Sequence, residues 1–200
     1  MPKRIVAVVG SYRKTGIIHQ TVYALLTEAK TKGADVEKID LIDRRITFCK
    51  NCRTCTQKEP DRPRGRCVHR DDMSRILDKL ESADTVVFAS PINMFTITAL
   101  MKRFVERLTV YAYWPWGANQ PKPRKRPKPK SAVVLTSSGA PAPVARVFFK
   151  SGIKMLKTMA KTMGAKSVVS LHLGMAASSP NLRLSDKQLR KIRKIAGTLV

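Results

Sequence analysis

The chain has 200 residues and a mass of 22.4 kDa, which suits one hydrophobic core and is short for two. Apolar residues make up 43% and charged residues 26%. That excludes global disorder, and no run of some twenty apolar residues offers a membrane helix. Against 14 Asp and Glu stand 39 Lys and Arg, a formal charge of +25; such a field draws phosphates, acidic proteins and anionic surfaces without choosing among them.

Residues 5–9 form a short apolar run that ends at Gly10. It is too short for a signal-peptide core, so a cytoplasmic location is expected. Residues 3–9, dense in Ile and Val, read as a strand that leads into Gly10-Ser11-Tyr12-Arg13-Lys14-Thr15-Gly16. Val22, Leu25, Leu26 and Ala29 then mark one face of a helix that stops near Gly33. A weaker strand follows at 36–41. The irregular stretch 44–70 holds all four cysteines. Asp71-Asp72 opens a helix, since acids suit its positive end, with Met73, Ile76, Leu77 and Leu80 as the apolar face.

Residues 85–89, Thr85 and then four apolar residues, read as a strand buried on both faces, and Ser90-Pro91-Ile92-Asn93 is expected to break it. Residues 99–111 have helical spacing, with Trp114-Pro115-Trp116-Gly117 beyond. Residues 121–130 are only Pro, Lys and Arg, which favours an extended, solvated chain. A strand at 132–135 ends in Thr136-Ser137-Ser138-Gly139. A single helix is expected over 144–163, with Met155, Met159 and Met163 in the core, then a strand at 167–173. The last element is a basic helix at 186–200 capped by Ser185.

Five apolar strands alternating with helices predict an α/β, doubly wound parallel sheet with helices on both faces. Ligands of such sheets bind beyond the carboxyl ends of the strands. The loops to inspect are therefore 10–16, 90–96 and 136–143. The first offers hydroxyls, cations and a helix N-terminus, as a phosphate site does. It fits neither the G-x-x-x-x-G-K-[ST] nor the G-x-G-x-x-G pattern.

Ser90-Pro91-Ile92-Asn93-Met94-Phe95, followed by Leu100-Met101-Lys102-Arg103-Phe104-Val105-Glu106-Arg107, resembles the flavin loop and following helix of the NAD(P)H-dependent FMN reductases. Gly10-Ser11-Tyr12-Arg13-Lys14-Thr15-Gly16 is similar to that family's phosphate loop, and Cys67-Val68-His69-Arg70-Asp71-Asp72-Met73 to its Cys-Val-x-x-Asp-Asp-Met turn. The motifs come in family order over nearly the whole chain. The resemblance implies one flavodoxin-like FMN-binding domain over 1–200 with strand order 2-1-3-4-5, a cysteine-rich insertion at 44–70 and a Pro/basic loop at 113–130. It also implies a homodimer or homotetramer. Ser11, Arg13, Lys14, Thr15 and Gly16 would hold the FMN phosphate. Pro91, Ile92, Asn93, Met94, Phe95 and Thr96 would line the isoalloxazine, and Ser137, Ser138 and Gly139 would close its other edge. The family often has Asn-Thr or Asn-Ser where this chain has Ile17-Ile18, which leaves His19 and Thr21 as substitute phosphate partners.

The cysteines run Cys49-x2-Cys52-x2-Cys55-x11-Cys67. Two successive C-x2-C steps bring three thiolates round one corner, the grip of iron–sulfur clusters, whereas structural zinc favours two separated pairs. A [4Fe–4S] cluster on Cys49, Cys52, Cys55 and Cys67 is thus favoured over zinc on three cysteines and His69; unmetallated thiols are the remaining option. With the cysteines the resemblance narrows to the iron–sulfur flavoprotein branch, from whose compact ligand set this chain departs by its long last spacing.

The expected function is therefore an FMN-dependent oxidoreductase or electron-transfer flavoprotein with NAD(P)H as a donor and no catalytic side chain. A cluster-free NAD(P)H-dependent FMN or quinone reductase is the alternative. An acidic electron-transfer protein such as a ferredoxin suits the basic surface as partner. Nucleic-acid binding by a flavodoxin-like protein is the reading of a different class, although no DNA- or RNA-binding motif stands in the chain. Trp114 and Trp116 are assigned to a flavin stack, an interface or simple loop packing. His172, in a strand, is expected to be a satisfied structural histidine.

Overall fold

The computed structural model describes residues 1–124 and 130–200. Chain order is β1 Arg4–Val9, α1 Ile17–Thr31, β2 Asp35–Asp40, α2 Met73–Ser82, β3 Thr85–Asn93, β4 Thr96–Ile97 and α3 Ala99–Arg107. After these come β5 Ala112–Tyr113, β6 Lys122–Pro123, β7 Lys130–Ser137, α4 Ala142–Phe148, α5 Lys150–Thr162, β8 Ala165–Leu173 and α6 Asp186–Gly197. The parallel sheet runs β2-β1-β3-β7-β8, which is the 2-1-3-4-5 order when the five long strands are counted alone.

Alternation along the central strands explains the layering. Val6 and Val8, Val86 and Phe88, and Ala132 and Val134 face one side, where they meet Leu77 and Leu80 of α2, Phe104 of α3 and Leu156 of α5. Ile5, Ala7 and Val9, Val87 and Ala89, and Val133 and Leu135 face the other, against Leu25 of α1 and Ile192 of α6. Both faces are covered, so the central strands read as unbroken apolar runs. Among the described residues, no helix is long and apolar enough to cross a membrane.

Three expectations change. β3 does not stop at Ser90 but runs to Asn93 and turns back on β4. The Ala89 carbonyl accepts from the Gly10 N–H, on the β1 side. Pro91, two residues on, turns to that same side, where β1 has already ended, so its missing N–H breaks no ladder bond. The expected helix over 144–163 is two helices divided at Phe149, whose φ is −109° and ψ 15°. The break lets the Phe149 ring meet Phe95, centroids 5.9 Å apart, and seats Gly152 on the β3–β4 hairpin. A Cβ on Gly152 would lie 3.2 Å from the Ile97 nitrogen. The Pro/basic stretch is extended and exposed over 121–123, as expected, but not at Arg124 and Lys130. Arg124 and Lys130 are 3% and 5% exposed, and Lys130 Nζ donates to the Glu81 carbonyl at 2.6 Å. Residues 125–129 lie outside the described ones.

α2 begins as expected, with Asp71 accepting from the Met73 N–H at 3.1 Å. α6 has the full reciprocal cap between Ser185 and Gln188.

Candidate functional site

The carboxyl ends of β1, β3 and β7 open on a cleft of about 260 Å³. Ser11, Arg13 and Gly16 from the first loop line it. So do Pro91, Ile92 and Asn93 from the second and Ser137, Ser138 and Gly139 from the third. Three loops separated by many tens of residues thus meet where the fold places a ligand. Ala176 and Ala177, beyond β8, form a wall that sequence reasoning missed, because alanine carries no chemical signal. Tyr12 lines the cleft as well.

Thr98 ties the first two loops together. Its hydroxyl donates to the Gly10 carbonyl at 2.7 Å and accepts from the Met101 N–H at 3.1 Å, capping α3. Ser90 Oγ in turn accepts from the Thr98 N–H at 3.2 Å. A Cβ on Gly10 would stand 2.6 Å from Met101 Cβ, so only glycine lets the loop lie this close on α3. Thr98→Val keeps the shape and removes the hydroxyl, leaving the buried Gly10 carbonyl and the α3 end without it. It is expected to cost about 2 kcal/mol in urea denaturation; an unchanged midpoint would remove this tie from the account.

No side chain among the described residues caps Gly16, the N-cap of α1. The first N–H groups of this 15-residue helix therefore point at the cleft floor free of a competing oxygen, which is an anion-binding geometry. The two substitute partners for a phosphate are turned away from it. His19 is 5% exposed, with Nδ1 3.7 Å from Asp40; burial pushes its pKa below the usual value despite that carboxylate. Thr21 donates to the Ile17 carbonyl at 2.7 Å.

Five further expected contacts are not in the lining. Lys14 is held by Asp43 at 2.8 Å, and it lines a separate groove with Thr15. Met94 and Phe95 form the hairpin tip at φ of 44° and 67° and are 86% and 62% exposed. Thr96 pairs with Asn93 in β4. With Val144, Val147 and Phe148 of α4, the tip leaves exposed apolar side chains on elements next to the cleft loops. His172 is satisfied: Nδ1 lies 2.9 Å from Thr136 Oγ1 and Nε2 3.0 Å from Ser138 Oγ.

The cysteine stretch is irregular but firmly held. Asp71 and Arg107 form a two-pronged ion pair at 2.6 and 3.2 Å, each side chain 2% exposed. Asp71 also accepts from the Thr47 N–H, and Arg107 donates to the Thr47 carbonyl. Arg124 donates to the carbonyls of Cys55, Lys58, Glu59 and Ala112. Trp114 and Trp116 pack in the loop, clamping the Arg53 guanidinium between their rings at 4.0 and 4.1 Å.

Cys49, Cys55 and Cys67 are half-buried and Cys52 is exposed, all four free thiols. Burial, then the charges of Cys67, Cys49 and Cys52, pushes the Cys55 thiol up to about 11. The other three sulfurs are thus near enough to act on Cys55, and soft thiolates are the donor set an iron–sulfur cluster takes. Among the described residues, no three potential ligands are drawn together into a closed metal cage. His69 shares with Cys67 an arginine-rich hollow of about 590 Å³, its Nε2 buried without a partner.

An iron-sulfur flavoprotein of Archaeoglobus fulgidus is 36% identical over 112 residues, 56% of this chain and 48% of that protein. One of Methanocaldococcus jannaschii is 30% identical over 104 residues, 52% of this chain and 50% of its own length. The chain thus spans about half the length of the curated relatives it matches. In fold it is similar to an NAD(P)H:quinone oxidoreductase from Methanothermobacter marburgensis, with TM-score 0.72 and 19% identity, covering 100% of both chains. It is likewise similar to an azoreductase from Bacillus anthracis, with TM-score 0.70 and 16% identity over 98% and 99% of the two. Residues 3–174 match the NADPH-dependent FMN reductase family, and the chain belongs to that family.

Proposed function

We propose that this protein is an FMN-dependent oxidoreductase that receives electrons from NAD(P)H. The observation that carries the reading is the cleft itself, where three loops converge on the uncapped N-terminus of α1. Backbone N–H groups from Ile17 onward would take the FMN phosphate, in place of the side chains that Ile17 and Ile18 do not supply; the Gly16 N–H is already given to the Arg13 carbonyl. Arg13 adds positive charge there, and its guanidinium donates to the Pro180 carbonyl at 2.8 Å, which holds the loop after β8 over the site. Pro91, Ile92 and Asn93 on one side and Ser137, Ser138 and Gly139 on the other would orient the ring. Bound FMN supplies the hydride and single-electron chemistry; the residues around it exclude water and fix orientation.

Cys49, Cys52, Cys55 and Cys67 would hold a [4Fe–4S] cluster, which supplies one-electron transfer. The names of the relatives and the influence of the other three thiols on Cys55 support it. The second reading, a cluster-free FMN or quinone reductase, is favoured by the absence of a closed cage among the described residues. The exposed apolar side chains beside the cleft support pairing with a second copy, as a homodimer or homotetramer. The +25 charge supports docking of an acidic electron-transfer protein.

Gly16→Asp tests the site. Gly16 has φ −69° and ψ 167°, a backbone conformation any residue adopts, with a Cβ 3.3 Å from the Arg13 carbonyl oxygen, and aspartate there caps α1 while placing a negative charge where the phosphate should sit. The FMN dissociation constant is expected to rise at least ~100-fold, with riboflavin, which lacks the phosphate, bound as before. Equal loss of both flavins, or of neither, sinks the phosphate assignment.

A further inference from the structure

Residues 130–200 carry thirteen Lys and Arg against a single acid, Asp186. On α5, Lys150, Lys154 and Lys157 stand four and three residues apart, which puts them on one helix face. α5 covers one side of the sheet and α6 the other. The edge strand β8, paired among the described residues to β7 alone, lies between them. Around that edge the three lysines meet Lys191 of α6 on a cavity of about 620 Å³.

Among the described residues, no acid lines this cavity. The ion pairs among the described residues leave out all four lysines. Ile153 and Leu171 give it an apolar part and Ser170 a hydroxyl. Four like charges around one hollow repel one another unless a counter-charge enters, and the volume falls within the usual range for small-molecule sites. Lysine binds phosphate as a point charge.

We propose that this cavity binds a phosphate-bearing small molecule of nucleotide size, its phosphates on Lys150, Lys154, Lys157 and Lys191 and its uncharged part against Ile153 and Leu171. The proposal goes beyond the flavin reading and does not depend on it. Thr136 and His172 line this cavity, while Ser138, bonded to His172, lines the cleft; the two sites share a wall. The competing explanation is that lysines flank an unpaired edge strand only to prevent edge-to-edge association.

Calorimetric titration of the full chain with inorganic pyrophosphate, and separately with ADP, decides the matter. Saturable one-to-one binding is expected, weakening as salt rises. Tighter binding of ADP than of pyrophosphate identifies a nucleotide, and equal binding an inorganic phosphate source. Lys154→Ala/Lys157→Ala should weaken binding at least tenfold, Lys154→Arg/Lys157→Arg should retain it, and Arg13→Ala, in the cleft, should leave it within twofold. Unsaturable binding, or loss with Arg13→Ala and not with the lysine pair, overturns the proposal and leaves the lysines as edge protection.

Discussion

Replacing Asp71 by alanine is expected to lower the unfolding free energy by about 3–5 kcal/mol and the melting temperature by roughly 10 °C. The loss is large because the partner stays behind. Arg107 is 2% exposed and would keep its charge in the core face of α3 with no carboxylate to meet it. Thr47 would lose the acceptor of its N–H in the same substitution, and α2 the acceptor at its first turn. The pair also has a pH signature. Burial disfavours the Asp71 carboxylate, but Arg107 and the Thr47 and Met73 N–H groups outweigh it and bring the carboxyl down to about 2. A carboxyl held below its unfolded value stabilises the fold above about pH 4, and that contribution, roughly 2 kcal/mol, is lost as pH falls from 4 through 2. Denaturation of wild type and Asp71→Asn between pH 7 and 2 checks it. The gap between them should narrow in acid, and a constant gap would mean that the carboxylate's charge is not what matters.

Gly65→Ala should loosen the cysteine loop while the sheet stays folded. A Cβ at this position would lie 1.8 Å from the Cys55 carbonyl oxygen and 2.8 Å from its carbon. Neither is a flexible side-chain end, so the backbone has to separate. Gly65 is also bonded to the Val110 carbonyl at 2.8 Å, which prevents it from yielding alone. Overpacking of this kind costs about 3 kcal/mol, and here it falls on Cys55. In the reduced, metal-free wild type, a half-buried thiol pushed up to about 11 is a poor nucleophile at pH 8. Alkylation of Cys55 should be slow in the wild type and at least tenfold faster in Gly65→Ala, read by mass spectrometry of the modified peptides. Unaltered rates would show that the loop absorbs the methyl elsewhere.

How much of this was legible depends on where the determining contact lies. The central strands declare themselves because both faces of the sheet are covered, so every residue from Val86 to Ala89 is apolar and buried. Helices α2 and α6 announce their starts through Asp71 and Ser185, whose partners stand within three residues. The hairpin at Met94 and Phe95 does not, since its positive φ values fall on bulky residues where a sequence reader looks for glycine or asparagine. The break at Phe149 rests on a ring 54 positions away in the chain. Lys14 reads as a phosphate partner from the cations of its loop and from the family resemblance; its carboxylate partner, Asp43, stands beyond the next strand. The three cleft loops were found because topology fixes where a doubly wound sheet binds ligands, whereas the alanines of its far wall carry no mark.

The grip of Arg124 on the cysteine loop has a consequence for biosynthesis. The carbonyls of Cys55, Lys58 and Glu59 find their donor in a residue made some seventy peptide bonds later than Cys55. While the chain leaves the ribosome, Cys49, Cys52 and Cys55 are therefore synthesised, and reach the cell's thiol chemistry, well before the group that locks their loop exists. Cys52 stays exposed in the folded chain, so the arrival of Arg124 fixes the path of the backbone around Cys55 and leaves the outer thiol within reach.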